Sequence, residues 1–162
     1  VSRAFLSLGS NLGDREEYLR AIIRALRNGP RVEVVGVSRV YETEPVEVEA
    51  GQPDYLNCVV AVEYGASALE LLRFCQGVEC ALGRERREGV KTARTADIDV
   101  LTFGREVIEG ADLTVPHPGV VRAFNLRALA DLAPELEVPG YGVVEELLAE
   151  ADLSGVREYG RV

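Results

Sequence analysis

The chain has 162 residues, a formal net charge of −9, 47% apolar and 28% charged residues. That length favours one compact domain over residues 1–162 with a core of its own, and the acidic balance argues against a nucleic-acid partner, which needs a basic face. No apolar run reaches the roughly 18 residues of a bilayer-spanning helix and no basic-then-apolar segment opens the chain, so the expectation is a cytoplasmic protein with no membrane partner. Three cysteines without a C-x-x-C pair and a single histidine argue against a disulfide framework and against a Cys/His zinc cluster.

Residues 3–9 alternate, Ala4, Leu6 and Leu8 against Phe5, Ser7 and Gly9, and read as a strand. Gly9-Ser10-Asn11-Leu12-Gly13 breaks it with turn chemistry. Asp14, with Glu17 three residues on, starts a helix whose Leu19, Ile22, Ile23 and Leu26 recur at helical spacing until Asn28-Gly29-Pro30. Valine-rich 32–41 reads as one strand, 44–53 with Pro45, Gly51 and Pro53 as a loop, and 54–63 as a strand. Ser67-Ala68-Leu69-Glu70 is a capping box for a helix with Leu71, Leu72, Cys75, Val78 and Leu82 on its apolar side, closing at Gly83. Residues 84–95 are charged, lack an apolar period and read as a loop; Asp97 to Phe103 is a strand, and two helical patterns follow near 123–133 and 142–151. Strand-helix-strand twice over predicts an α+β, ferredoxin-like fold, a mainly antiparallel sheet flanked by helices. That layout hosts many activities, so function has to come from the site.

Asp97-Ile98-Asp99 opens a strand, so the two carboxylates share a face. They read either as solvated acids or as a repelling pair that a hard divalent cation holds together, Mg²⁺ above all. Arg84, Arg86, Arg87, Lys91 and Arg94 lie just upstream. By itself that stretch is a solvated charge run; beside the acids it supplies the phosphate half of a phosphoryl-transfer site. No P-loop is present. On strand 54–63, Tyr55, Asn57, Val59 and Ala61 share a side. Asn57 there either meets a backbone partner or reads the edge of a flat heterocycle on which Tyr55 can stack. Gln76 and Glu79 share a helix face, and His117 sits in the stiff Leu113-Thr114-Val115-Pro116-His117-Pro118.

Taken in order, Leu8-Gly9-Ser10-Asn11-Leu12-Gly13-Asp14, Tyr41-Glu42-Thr43-Glu44-Pro45, Gln52-Pro53-Asp54-Tyr55-Leu56-Asn57, Gly83-Arg84, Arg94-Thr95-Ala96-Asp97-Ile98-Asp99-Val100-Leu101, the His117 segment, Arg122-Ala123-Phe124 and Leu132-Ala133-Pro134-Glu135-Leu136 cover nearly the whole chain. The set resembles the 6-hydroxymethyl-7,8-dihydropterin pyrophosphokinases of the folate pathway. The resemblance implies transfer of a diphosphate from ATP, as co-substrate, to a reduced pterin. It implies that Asp97 and Asp99 hold two Mg²⁺ ions and, with Arg84 and Arg94, form the catalytic set. Gln76, Glu79, Arg84, Arg94, Ile98, Thr114, His117 and Arg122 would line the ATP site. Thr43, Pro45, Val46, Tyr55, Asn57 and Phe124 would line the pterin site, Tyr55 and Phe124 stacking on its two faces. The family usually shows Trp-Gly-Pro-Arg before the acidic pair, where this chain has Lys91-Thr92-Ala93-Arg94.

Overall fold

The computed structural model describes residues 1–11, 13–44, 54–83 and 97–162. Of the loops predicted at 44–53 and 84–95, residues 45–53 and 84–95 fall outside these residues. Strand β1 (Ser2–Ser10) leads to helix α1 (Arg15–Arg27). Asp14 caps α1 by accepting from the Glu17 amide at 3.1 Å, and Leu19, Ile22, Ile23 and Leu26 form its buried face. Asn28 ends it, its amide donating to the Arg24 carbonyl and the Gly29 amide to the Leu26 carbonyl, both at 3.1 Å.

The single strand expected over 32–41 is two, β2 (Val32–Val37) and β3 (Val40–Thr43). Both pair with β4 (Tyr55–Tyr64), but Val37 faces Val60 while Tyr41 faces Asn57, so between these two pairs the β2–β3 side carries one more residue than β4. Ser38 fills the break: its hydroxyl accepts from the Val59 amide at 2.8 Å and its own amide donates to the Val59 carbonyl at 2.9 Å.

Helix α2 (Ala68–Gly83) starts on half a capping box. Ser67 Oγ accepts from the Glu70 amide at 3.2 Å, but the Glu70 carboxylate pairs with Arg31 rather than reaching back. Strand β5 (Asp97–Phe103) follows, then the short hairpin β6 (Ile108–Glu109) and β7 (Thr114–Val115), and a 3-10 turn over Pro118–Val121. Helix α3 (Ala123–Leu132), the hairpin β8 (Glu137–Val138) and β9 (Gly142–Val143), helix α4 (Val144–Ala149) and strand β10 (Val156–Gly160) complete the order.

The main sheet runs β10-β3-β4-β1-β5, with β2 also on β4, and all its pairings are antiparallel. Each face has its own core. Leu6, Leu8, Leu56, Cys58, Val60, Val62, Ile98 and Val100 pack with α1 and α2. Phe5, Tyr41, Val59, Ala61 and Leu101 pack with Ala128 and Leu129 of α3. The ferredoxin-like expectation holds. Among the described residues no helix is long and apolar enough to cross a membrane.

Candidate active site

Strand register assembles the site. Asp97 lies opposite Gly9, and Gly9 opposite Asn57 on its other side; Asp99 lies opposite Ser7, and Ser7 opposite Val59. Directly opposed residues of antiparallel strands point to one face. The acid pair on β5 and the amide on β4 therefore share the α3 face of the sheet, separated by β1 alone. Two strand spacings put their Cα atoms about 10 Å apart. Between them Gly9 offers no side chain: a Cβ there would lie 3.2 Å from Asn57 Oδ1 and 3.9 Å from Tyr55 Cδ1. The floor of the site is open because that residue is glycine.

On the β4 side, Asn57 is 6% exposed and its Nδ2 donates to Thr43 Oγ1 at 2.7 Å. Its partner is thus a side chain that the resemblance also assigns to the pterin, not the backbone. Thr43 and Tyr55 are directly paired across β3 and β4. Asn11, immediately after β1, is wholly buried, and neither end of its amide has a hydrogen-bond partner among the described residues. Phe124 begins α3, the helix packed over this face, and is half-buried.

Outside β5 lies a second, shallow pocket of about 320 Å³, lined by Ile98, Thr114 and His117 of the expected nucleotide residues and by Asp99 of the expected metal pair. Leu72, Gly110, Ala111 and Asp112 also line it, none of which carries a sequence signal beyond a loop or a helix position. Glu79 is tied to this edge: its carboxylate accepts from the Ile98 amide at 3.1 Å. His117 Nε2 lies 3.8 Å from Asp99 Oδ1, while His117 Nδ1 accepts from the Gly119 amide at 2.9 Å. Gln76 and Arg122 are exposed and do not line the pocket, although Arg122 Cδ lies 3.9 Å from the place a Cβ on Gly119 would occupy. Burial, reinforced by the charges of Glu79 and Asp99, pushes the Cys75 thiol behind this edge up to about 12. Arg84, Arg94, Pro45 and Val46 lie outside the described residues.

The arrangement pairs carboxylates and a pocket of about 320 Å³ with a buried amide and an aromatic ring. A model of the family 7,8-dihydro-6-hydroxymethylpterin-pyrophosphokinase matches residues 5–134. The chain belongs to this family. It is 43% identical over 155 residues to a 2-amino-4-hydroxy-6-hydroxymethyldihydropteridine pyrophosphokinase of Bacillus subtilis, covering 95% of this chain and 88% of that one. A protein of the same description from Pseudomonas aeruginosa is 37% identical, with 96% of each chain covered. Among solved structures, a wild-type Plasmodium falciparum HPPK-DHPS chain with SDX-DHP superposes with a TM-score of 0.71 at 14% identity. That likeness, which spans 98% of this chain and 47% of the solved one, shows the fold. As a pyrophosphokinase of this family the chain uses ATP as its co-substrate.

Buried polar groups without a strong signal in the sequence lie next to these residues. Ser7 Oγ donates to Asn125 Oδ1 at 2.7 Å, and Asn125 Nδ2 donates to the Gly119 carbonyl at 2.8 Å. Ser7 sits in an apolar alternation, as Asn57 does, and that was its one signal.

Proposed function

We infer that the chain transfers the β,γ-diphosphate of ATP to the hydroxymethyl group of 6-hydroxymethyl-7,8-dihydropterin and releases AMP, a step of folate biosynthesis. The observation that carries this reading is the row Asp97–Gly9–Asn57, which sets a carboxylate pair and a heterocycle-reading amide on one sheet face with an open floor between them.

On the pterin side, Thr43 holds one Asn57 N–H and leaves its second N–H and its Oδ1 for the edge of the ring. Tyr55 and Phe124 are assigned to the two ring faces, and Pro45 and Val46 to its rim from the resemblance. On the nucleotide side, Ile98, Thr114 and His117 line the pocket, and the assignment extends to Gln76, Glu79 and Arg122. Arg84 and Arg94 are assigned to the phosphates from the sequence, as planar forks suited to bidentate contact.

Asp97 and Asp99 fit a hard divalent cation. They present oxygen donors from one face, and Asp99 is half exposed. Among the described residues no cluster of three or more Asp, Glu, His or Cys side chains forms, which suits Mg²⁺, an ion that completes its shell with water and phosphate oxygens. Two Mg²⁺ ions are proposed, which when bound neutralise phosphate charge and polarise the phosphorus under attack. The chain's own contribution is positioning: the pterin hydroxyl is held in line with the β-phosphorus and AMP departs on the far side. We assign residues 1–162 to one such domain acting in the cytoplasm without nucleic-acid or membrane partners, in keeping with its net charge of −9.

The test is to mix the protein with ATP, Mg²⁺ and the reduced pterin. AMP and a diphosphorylated pterin in equal amounts are expected; ATP consumption that does not depend on the pterin would replace this reading by a phosphohydrolase.

A further inference from the structure

A polar thread crosses the α3 side of the sheet and ends facing Asp99. It begins on β1, where Ser7 Oγ donates to Asn125 Oδ1 at 2.7 Å, and passes through Asn125 Nδ2 to the Gly119 carbonyl at 2.8 Å. The Gly119 amide then donates to His117 Nδ1 at 2.9 Å, and His117 Nε2 faces Asp99 Oδ1 at 3.8 Å. Ser7 is 6% exposed and Asn125 is 3% exposed, so neither is a surface accident. A buried amide beside the half-buried Phe124 has to be justified by its hydrogen bonds, and both its ends are used.

Direction matters along this thread. The Gly119 carbonyl can only accept, so it fixes which end of the Asn125 amide is the NH₂, and the Ser7 hydroxyl then donates to the remaining Oδ1. The Gly119 carbonyl also accepts from the Arg122 amide at 3.1 Å, so the 3-10 turn is gripped from α3 as well as from within. The Gly119 N–H then makes Nδ1 an acceptor, which leaves the ring proton of neutral His117 on Nε2, facing Asp99. Glycine is needed here for space: a Cβ on residue 119 would lie 3.0 Å from His117 Nδ1 and 3.2 Å from Cε1.

We propose that Ser7 and Asn125 are positioning residues that, through Gly119, hold the His117 imidazole with its Nε2–H directed at Asp99 and the phosphate chain. The proposal rests on the reading of His117 as a nucleotide-side residue. It also ties the two substrates together, because Asn125 follows Phe124 directly on α3: a shift of the helix that carries the pterin-side ring moves the group that holds the nucleotide-side ring.

The chain has one histidine, so ¹⁵N-labelled imidazole gives a single tautomer readout with no ligand present. The Nε2–H form is expected to dominate in the parent at alkaline pH. Asn125→Leu should lose stability and shift the tautomer balance. The double variant Ser7→Ala, Asn125→Leu removes both polar partners and should regain most of that stability, since no buried group is left unpaired. In it the tautomer balance should stay shifted, with kcat down about three- to tenfold and the pterin KM unchanged, the scale of one lost hydrogen bond. A stable double variant with the parental tautomer and the parental kcat would overturn the proposal. Gly119→Ala is the second arm: its methyl should displace the ring and weaken a non-hydrolysable ATP analogue, and unchanged tautomer and affinity there would overturn it too. A parent protein that binds no nucleotide analogue would instead sink the site assignment, while the ligand-free spectra still decide whether the thread orients the ring.

Discussion

Asn57 donates from Nδ2 to Thr43 Oγ1 at 2.7 Å across β4 and β3, and both residues are more than nine-tenths buried. The bond orients the amide before any ligand arrives and leaves its second N–H and Oδ1 for the proposed pterin contact. Asn57→Ala should weaken pterin binding by about 1–3 kcal/mol, and Thr43→Val by about 1 kcal/mol because the amide then has to be oriented by the ligand alone. Calorimetric titration of the nucleotide-loaded variants with the pterin measures both. Affinities equal to the parent's in both variants would move the pterin elsewhere.

Gly9 supplies a second test of the same floor. A Cβ at Gly9 would crowd Asn57 Oδ1 at 3.2 Å, an atom fixed through the Thr43 bond and unable to retreat freely. Gly9→Ala should therefore raise the pterin dissociation constant about tenfold or more while leaving nucleotide affinity within about twofold, since a 1.4 kcal/mol clash is already a decade. Equilibrium binding of each substrate separately is the check.

Asp97→Ala and Asp99→Ala are each expected to abolish AMP release at saturating Mg²⁺ while the fold survives. Asp99 is half exposed, and neither acid belongs to a core cluster, so their loss leaves the packing on both faces intact. Apparent melting temperature and turnover, measured on the same samples, separate the two effects. Turnover near the parent's in Asp97→Ala would remove the metal assignment.

Burial pushes the Cys58 and Cys75 thiols from 9.0 up to about 12, and burial together with the Asp131 hydrogen bond pushes the Tyr41 hydroxyl from 10.0 up to about 12. All three groups are neutral in the fold and ionise more readily once unfolded. Their contribution is thus complete below about pH 9 and is lost as pH rises through the window from about 9 to 12. Urea midpoints should fall across that window and stay level between pH 7 and 8.5, roughly. In the native state at neutral pH a thiol reagent should modify the exposed Cys80 quickly and spare the buried Cys58 and Cys75.

Asp131 organises the far end of α3. Its carboxylate accepts from Tyr41 Oη at 2.6 Å, from Arg127 at 2.9 Å, and from the Arg39 side chain and amide at 3.1 and 3.2 Å. Its side chain is only 6% exposed, so removing it strands the buried Tyr41 hydroxyl and the Arg127 guanidinium, while Arg39 keeps its bond to Glu158. Asp131→Ala should cost about 3 kcal/mol in chemical denaturation, less than a fully buried pair because both arginines keep contact with water. A loss below about 0.5 kcal/mol would show that the cluster is surface decoration.

The sequence by itself determined the elements whose signals are local. Amphipathic spacing in α1, the Asp14 and Ser67 caps and the strand alternation of β1 and β4 depend on residues a few positions apart, and all of them hold in the fold. The same locality put Asp97 and Asp99 on one face, because alternation is a property of any strand. Tertiary structure decided everything that depends on register and packing. The split of 32–41 into β2 and β3 follows from one extra residue against β4. The edge strand β10 escaped notice because an edge pairs on one side and keeps a polar pattern. The meeting of Asp97, Gly9 and Asn57, and the thread from Ser7 to His117, join residues up to 118 positions apart, and no local preference encodes such a pairing. A buried polar residue in an apolar alternation announces that it needs a partner; only the packed chain says which one.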